Sequence, residues 1–134
     1  MQKDYAGWHI RKLAINSLES QRYFYEREIW WVAIGHNVGS EEDGKGSNYA
    51  RPVLVLRKFN QSLFFGLPLS TTRRTGEYYA PMVAAGVSNK ALLSQLRVFD
   101  AKRLINKLDV LAESEFHAVQ DQIIAIIKPP LARR

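Results

Sequence analysis

Arg51 occupies a position from which an arginine can act on an anion. It closes the polar stretch 35–50 and is followed by Pro52 at the head of an apolar run, Pro52-Val-Leu-Val-Leu-Arg57. A guanidinium fixed there can clamp a phosphate through two parallel hydrogen bonds. A plain surface arginine at a strand end fits the same local pattern. Ser70, Thr71 and Thr72 follow Pro68-Leu69. Their hydroxyls can donate to a phosphate oxygen or simply cap a turn. The run Glu41-Glu42-Asp43 lies on a glycine-rich stretch and matches no calcium-loop spacing. It reads as a solvated loop or as the source of a proton acceptor. His9, His36 and His117 lack a second histidine at metal-ligand spacing. His9 and His117 read as ordinary helix residues, whereas His36 opens the long loop.

Cleaving RNA asks little of such a set. The ribose 2′-hydroxyl is the nucleophile, so the protein must supply a base, an acid and donors for a charged phosphorane. Arginine and hydroxyl groups stabilise that charge electrostatically, and a metal is optional. The bulk properties agree with a polyanionic partner: net charge is +6 and the sequence pI is about 9.7. The chain lacks cysteine, which excludes a disulfide scaffold and thiolate metal sites. The glycines at 35, 39, 44 and 46 lie between two predicted strands, not between a strand and a helix, so they form no phosphate loop or dinucleotide fingerprint. No segment is long and apolar enough to span a membrane, and the first twenty residues lack the apolar run of a signal peptide. The expected location is cytoplasmic, and neither a cofactor nor a metal is expected.

The elements that must hold these residues are short. A length of 134 residues with 46% hydrophobic content suits one folded domain. Residues 4–20 predict an amphipathic helix without a strong cap, with Trp8, Ile15 and Leu18 on one face. Residues 28–34 predict a strand, 35–50 a long loop, 52–57 and 63–69 two more strands, and 70–76 an exposed basic loop. Pro68 predicts that the third strand ends or becomes an edge. Residues 78–84 and 90–98 predict two strands joined through 86–89, residues 100–104 a helical turn, and 105–111 a last strand. Phe116, Val119, Ile123, Ile126 and Ile127 form a helical stripe within 114–128, stopped by Pro129-Pro130. Short strands, polar loops and a closing helix describe a small closed or partly closed barrel.

In order along the chain, several segments resemble the MazF/PemK (Kid) family of toxin endoribonucleases. They are Arg27-Glu-Ile-Trp-Trp-Val32, Asn37-Val-Gly-Ser-Glu41, Arg51-Pro-Val-Leu-Val55, Pro68-Leu-Ser-Thr71, Ser94-Gln-Leu-Arg97 and Asp100-Ala-Lys-Arg-Leu104. The resemblance runs from Arg27 to Lys128. It implies a mainly β, SH3-like small barrel over 27–128, with an N-terminal helical extension over 1–26, a C-terminal helix, and a frayed tail over 129–134. It further implies a homodimeric toxin of a type II toxin–antitoxin system, inhibited by a cognate antitoxin. Such a toxin cuts single-stranded mRNA at specific sequences without a metal, leaving a 2′,3′-cyclic phosphate and a 5′-hydroxyl.

Carried over by position, the resemblance makes Arg51 the catalytic arginine. Ser70 stands where many members have a threonine, Thr71 lies beside it, and Glu41 is the glutamate of the Gly-Ser-Glu loop. His36, Lys45, Tyr49, Arg73 and Arg74 are the expected RNA-binding residues, with Tyr49 stacking on a base. The chain departs from the family in three places. The segment between Glu41 and Arg51 is longer than in short-loop members. An Arg-x-Asp-Gln segment of some members is replaced by Leu92, Ser94 and Gln95. The helix in 4–20 lies outside the family core. These departures keep two other functions in play: a toxin of the same fold that binds nucleic acid or a protein target without cutting, and a repurposed toxin that chiefly binds its antitoxin.

Overall fold

The computed structural model describes residues 2–19 and 22–131. Its first helix, α1, spans Tyr5–Asn16, shorter than the predicted 4–20, and Ser20 lies outside the described residues. The predicted lack of a cap is corrected: the Asp4 side chain accepts the Gly7 N–H at 2.9 Å, satisfying one of the orphan donors of a helix start. Trp8 and Ile15 are buried, as their spacing predicts, whereas Leu18 lies past the helix end and is exposed.

Seven strands follow: β1 (Glu28–Ala33), β2 (Ala50–Lys58), β3 (Leu63–Ser70), β4 (Tyr79–Ala84), β5 (Val87–Leu92), β6 (Arg97–Asp100) and β7 (Leu104–Val110). All pairings are antiparallel, in the order β4-β5-β3-β2-β1-β7, with β6 also on β3. Short 3₁₀ turns occupy Leu93–Gln95 and Ala101–Arg103, and helix α2 spans Glu113–Ile127. The result is a half-barrel of antiparallel strands with two helices.

β2 explains the curvature. Its Val-Leu-Val-Leu run is buried on both faces. Leu54 and Leu56 face a core with Ile29, Leu67, Leu69, Phe116, Val119 and Ile123. Val53 and Val55 face another with Phe24, Trp30, Val32, Phe64 and Phe99. An unbroken apolar run is what a strand buried on both sides needs. α2 covers the first core with Phe116, Val119 and Ile123, while Ile127 of the predicted stripe is exposed.

Two expectations about the strands are corrected. The predicted strand 90–98 is two strands: β5 pairs with Leu69 and Ser70, the turn at Leu93–Gln95 redirects the chain, and β6 pairs with Leu63 through Gly66. The apolar run through Ala91, Leu92 and Leu93 is continuous in sequence, so periodicity does not reveal that the chain changes partner within it. The hairpin between β4 and β5 accordingly turns at Ala85-Gly86, not over 86–89. Of the two outcomes expected at Pro68, the strand does not end, since β3 continues to Ser70, but at this residue it pairs with β2 alone and is locally an edge. Pro68 sits between the residues paired with β6 and those paired with β5, where its missing N–H removes no rung from either pairing.

Candidate active site

The loop 35–50 is tightly tied, despite its composition. Ile34 and Gly35 both donate their N–H groups to the Tyr49 carbonyl at 3.0 Å, and Gly44 donates to Gly35 at 2.8 Å. Lys45 and Ala50 exchange two backbone hydrogen bonds, which folds 45–50 into a tight turn with Tyr49 in the left-handed region. Gly44 passes so close to Tyr49 that a Cβ would overlap its carbonyl. Asn37 closes the other half. Its N–H donates to the Asp43 carboxylate at 2.6 Å, and its Nδ2 donates to the carbonyls of Ile34 and Glu42.

Arg51 follows this loop as the second residue of β2, in register with Val32 of β1. Its side chain is 12% exposed. Nη2 meets Glu42 Oε1 at 2.6 Å, and Nε donates to the Asp43 carbonyl. Glu42 is itself held by Gln95, whose Oε1 accepts the Glu42 N–H at 3.0 Å while its Nε2 donates to the Ser40 carbonyl at 3.1 Å. The carboxylate on Arg51 is therefore that of Glu42. Glu41, the residue expected from sequence, accepts the Val38 N–H at 2.9 Å and closes its own turn.

Lys45, Arg51, Ser70 and Thr71 line one cavity of about 450 Å³, with Trp31 and the buried Asn89 among its walls. β3 brings the hydroxyls there: Ser70 is its last residue, paired with Lys90 of β5. Ser70 Oγ accepts the Thr72 N–H at 3.2 Å, the turn-capping role open to it from sequence, and its own proton stays available to an anion. Arg73 and Arg74 are exposed beyond the cavity, and the Arg74 carbonyl accepts Lys90 Nζ at 3.1 Å.

His36 and Tyr49 are placed apart from that cavity. The Tyr49 ring lies between Trp8 and His36, and its hydroxyl donates to Asp4 at 2.9 Å. That hydrogen bond, followed by partial burial, pushes the Tyr49 hydroxyl up from its ordinary value. The Tyr49 ring, expected to stack on a base, contacts Trp8 at a tilt of 54° and His36 nearly edge-on at 82°. His36 Nδ1 is buried without a hydrogen-bond partner, 4.0 Å from the Asp43 carboxylate. His117 Nδ1 is 3.0 Å from Gln120 Oε1 on the exposed face of α2.

Three residues near Arg51 carry no distinguishing signal in the sequence. Glu42 differs from Glu41 only by its place in the loop. Gln95 and Arg97 lie within the Ser-Gln-Leu-Arg segment, where no local pattern marks a role for them. With Glu41 and Glu42, both line a second cavity of about 430 Å³. Arg97 stacks on Phe99 at 4.6 Å, and burial pulls its guanidinium down while the Glu41 carboxylate opposes that shift. The Leu92 side chain is 6% exposed in the core. Among the described residues, no three His, Asp or Glu side chains converge as metal ligands.

Such an arrangement suits electrostatic work on a phosphodiester. Arg51 has five N–H donors and commits two of them among the described residues, and hydroxyls and an ammonium share its cavity.

A family model described as PemK-like, MazF-like toxin of type II toxin–antitoxin system matches residues 25–127, which leaves α1 outside it. No curated protein matches the chain. Among solved structures, MazF from Deinococcus radiodurans is similar with a TM-score of 0.64 and 18% identity, over 79% of this chain and 98% of that one. A mycobacterial endoribonuclease in complex with its cognate antitoxin aligns with a TM-score of 0.63 and 12% identity, over 82% and 100%. A MazE–MazF structure from Deinococcus radiodurans aligns with a TM-score of 0.62 and 18% identity, over 79% and 97%. At these identities the structural likeness is one of fold.

Proposed function

The chain belongs to the PemK-like, MazF-like toxins of type II toxin–antitoxin systems, and we propose that it is a metal-independent endoribonuclease acting on single-stranded RNA. The observation that carries this reading is the convergence of Arg51, Ser70, Thr71 and Lys45 on one cavity. In the proposed reaction the substrate's 2′-oxygen attacks phosphorus and loses its proton to a carboxylate. The phosphorus–O5′ bond breaks, O5′ takes up a proton, and a 2′,3′-cyclic phosphate and a 5′-hydroxyl remain. Arg51 stabilises the phosphorane and supplies the leaving-group proton directly or through water. Ser70 and Thr71 hold the scissile phosphate. Glu42 lines the neighbouring cavity and reaches Arg51 at 2.6 Å, which supports it as base ahead of Glu41, whose carboxylate accepts the Val38 N–H, and of His36. Arg73 and Arg74 extend the basic path for RNA.

Family membership and the antitoxin present in the similar complexes support a cognate antitoxin as partner; a homodimeric state and action in the cytoplasm are part of the same proposal. The N-terminal 26 residues form an extension of a toxin core over 27–128.

The test is incubation of purified protein with single-stranded RNA in EDTA. Arg51→Ala is expected to lower kcat by about 10²–10³-fold, the usual cost of deleting one preorganised transition-state donor. Cleavage that survives this change overturns the role of Arg51. A second reading is favoured by the burial of Leu92 and the neutral Ser94 at the family's Arg and Asp positions. In it, the toxin binds nucleic acid or a protein target without cutting. Saturable RNA binding with no product, even after long incubation, identifies that case.

A further inference from the structure

We infer that the N-terminal segment is a brace that positions Arg51, with Lys3 and Asp4 as its struts. This rests on the reading of Arg51 given above. The segment meets the inner side of the loop 35–50 at several points. Lys3 Nζ lies 2.9 Å from the Asp43 carboxylate and donates to the Asn37 carbonyl at 2.6 Å. Tyr5 donates its hydroxyl to the same carbonyl at 2.9 Å. Asp4, while capping α1, accepts the Tyr49 hydroxyl at 2.9 Å. Behind these contacts Trp8 packs against Tyr49, and together with Ile15 it buries against Ala33 at the end of β1.

Asp43 links the brace to the arginine. Its carboxylate receives Lys3 and the Asn37 N–H, and its carbonyl receives Arg51 Nε. Asn37 is tied in turn to the Glu42 carbonyl, next to the carboxylate that meets Arg51 Nη2. A single residue, Asp43, and two hydrogen-bonded contacts therefore connect the Lys3 ammonium to the Arg51 guanidinium. The family match begins at residue 25, so this support is an addition specific to the N-terminal extension. It also accounts for a loop of this length being fixed: a long closing segment needs ties of its own to present one geometry.

The experiment compares Lys3→Met and Tyr49→Phe with the wild type, and uses Lys3→Arg as rescue. Exchange of the loop amides 36–43 and of the Arg51 Nε–H is followed by NMR, alongside kcat and KM on single-stranded RNA. Both variants, one removing the Lys3 strut and the other the Tyr49 hydroxyl that Asp4 holds, are expected to speed exchange at the loop and at Arg51 Nε. Lys3→Met is expected to lower kcat by about tenfold with KM little changed, since misplacing a catalytic group by a fraction of an ångström costs at the chemical step. Lys3→Arg is expected to restore both. Unchanged exchange at Arg51 Nε in both variants overturns the brace, even if the loop amides speed up. A wild type that binds RNA but never cuts it sinks the cleavage reading alone, and the exchange data then decide the brace.

Discussion

Before any substrate arrives, Arg51 is held by Glu42 and by the Asp43 carbonyl. This pairing can serve catalysis in one way and oppose it in another. If Glu42 takes the 2′-proton, Glu42→Gln keeps the side-chain shape and lowers kcat by about 10²–10⁴-fold, the usual worth of a positioned base. If Glu42 only sequesters Arg51, the same change raises cleavage. We expect the fall, and we expect Glu41→Gln to stay within a fewfold of wild type, because that carboxylate is spent on the Val38 N–H. A single-turnover assay of the two variants separates these outcomes. The sequence made the arginine and the hydroxyls visible through their neighbours Pro52 and Pro68. It left the choice between adjacent glutamates open, because one residue of loop geometry reverses which of them faces the arginine.

At the scale of elements, α1 and the loop depend on each other. Gly35 has φ +80° and lies under the Trp8 ring, so a Cβ there would overlap the ring. Gly35→Ala therefore forces a strained backbone and pushes α1 from its seat. A residue held in a sparsely populated region costs about 1–3 kcal/mol, and burial of a side chain such as Ile15 contributes about 1.5–3 kcal/mol that undocking forfeits. The expected result is a lower urea midpoint together with loss of α1 protection in hydrogen exchange. A variant with wild-type midpoint and an intact α1 overturns this account. β3 shows the complementary case: its proline falls at the gap between two partners, so a residue that reads as a terminator is accommodated within the strand.

For the whole molecule, the hydrogen-bonded carboxylates set the response to acid. The Gly7 N–H and then the Tyr49 hydroxyl hold Asp4 below its ordinary value, and the N–H groups of Ala85 and Val110 do the same for Asp109. Burial pushes Glu28 up, but hydrogen bonds from Trp30 and Tyr25 and the Lys107 ammonium outweigh it and leave it lowered. Each group has a folded value below its unfolded one. Its stabilisation is present above the ordinary carboxylate range, near pH 4, and is lost as pH falls through the folded value. Lys3 is raised, first by its hydrogen bond to Asp43. Its contribution is present below the ordinary lysine value and is lost as pH rises through the folded one. Urea midpoints across pH should show a plateau with an acid limb, flattened in Asp109→Asn. A midpoint independent of pH down to pH 2 overturns this assignment.

The sequence by itself determined the class of fold, the strand run of β2 and both helices, and it supplied the candidates for handling a phosphate. These depend on local periodicity and on residue chemistry, which neighbours in the chain express. It placed a polar loop at 35–50 and a helix outside the family core, with no relation between them. Tertiary structure decided that relation. It put Lys3 on Asp43 and Asp4 on Tyr49, chose Glu42 over Glu41, and split one apolar run into β5 and β6. Contacts between segments some forty residues apart follow from how the sheet curves and where the chain crosses it, and no local pattern carries that information.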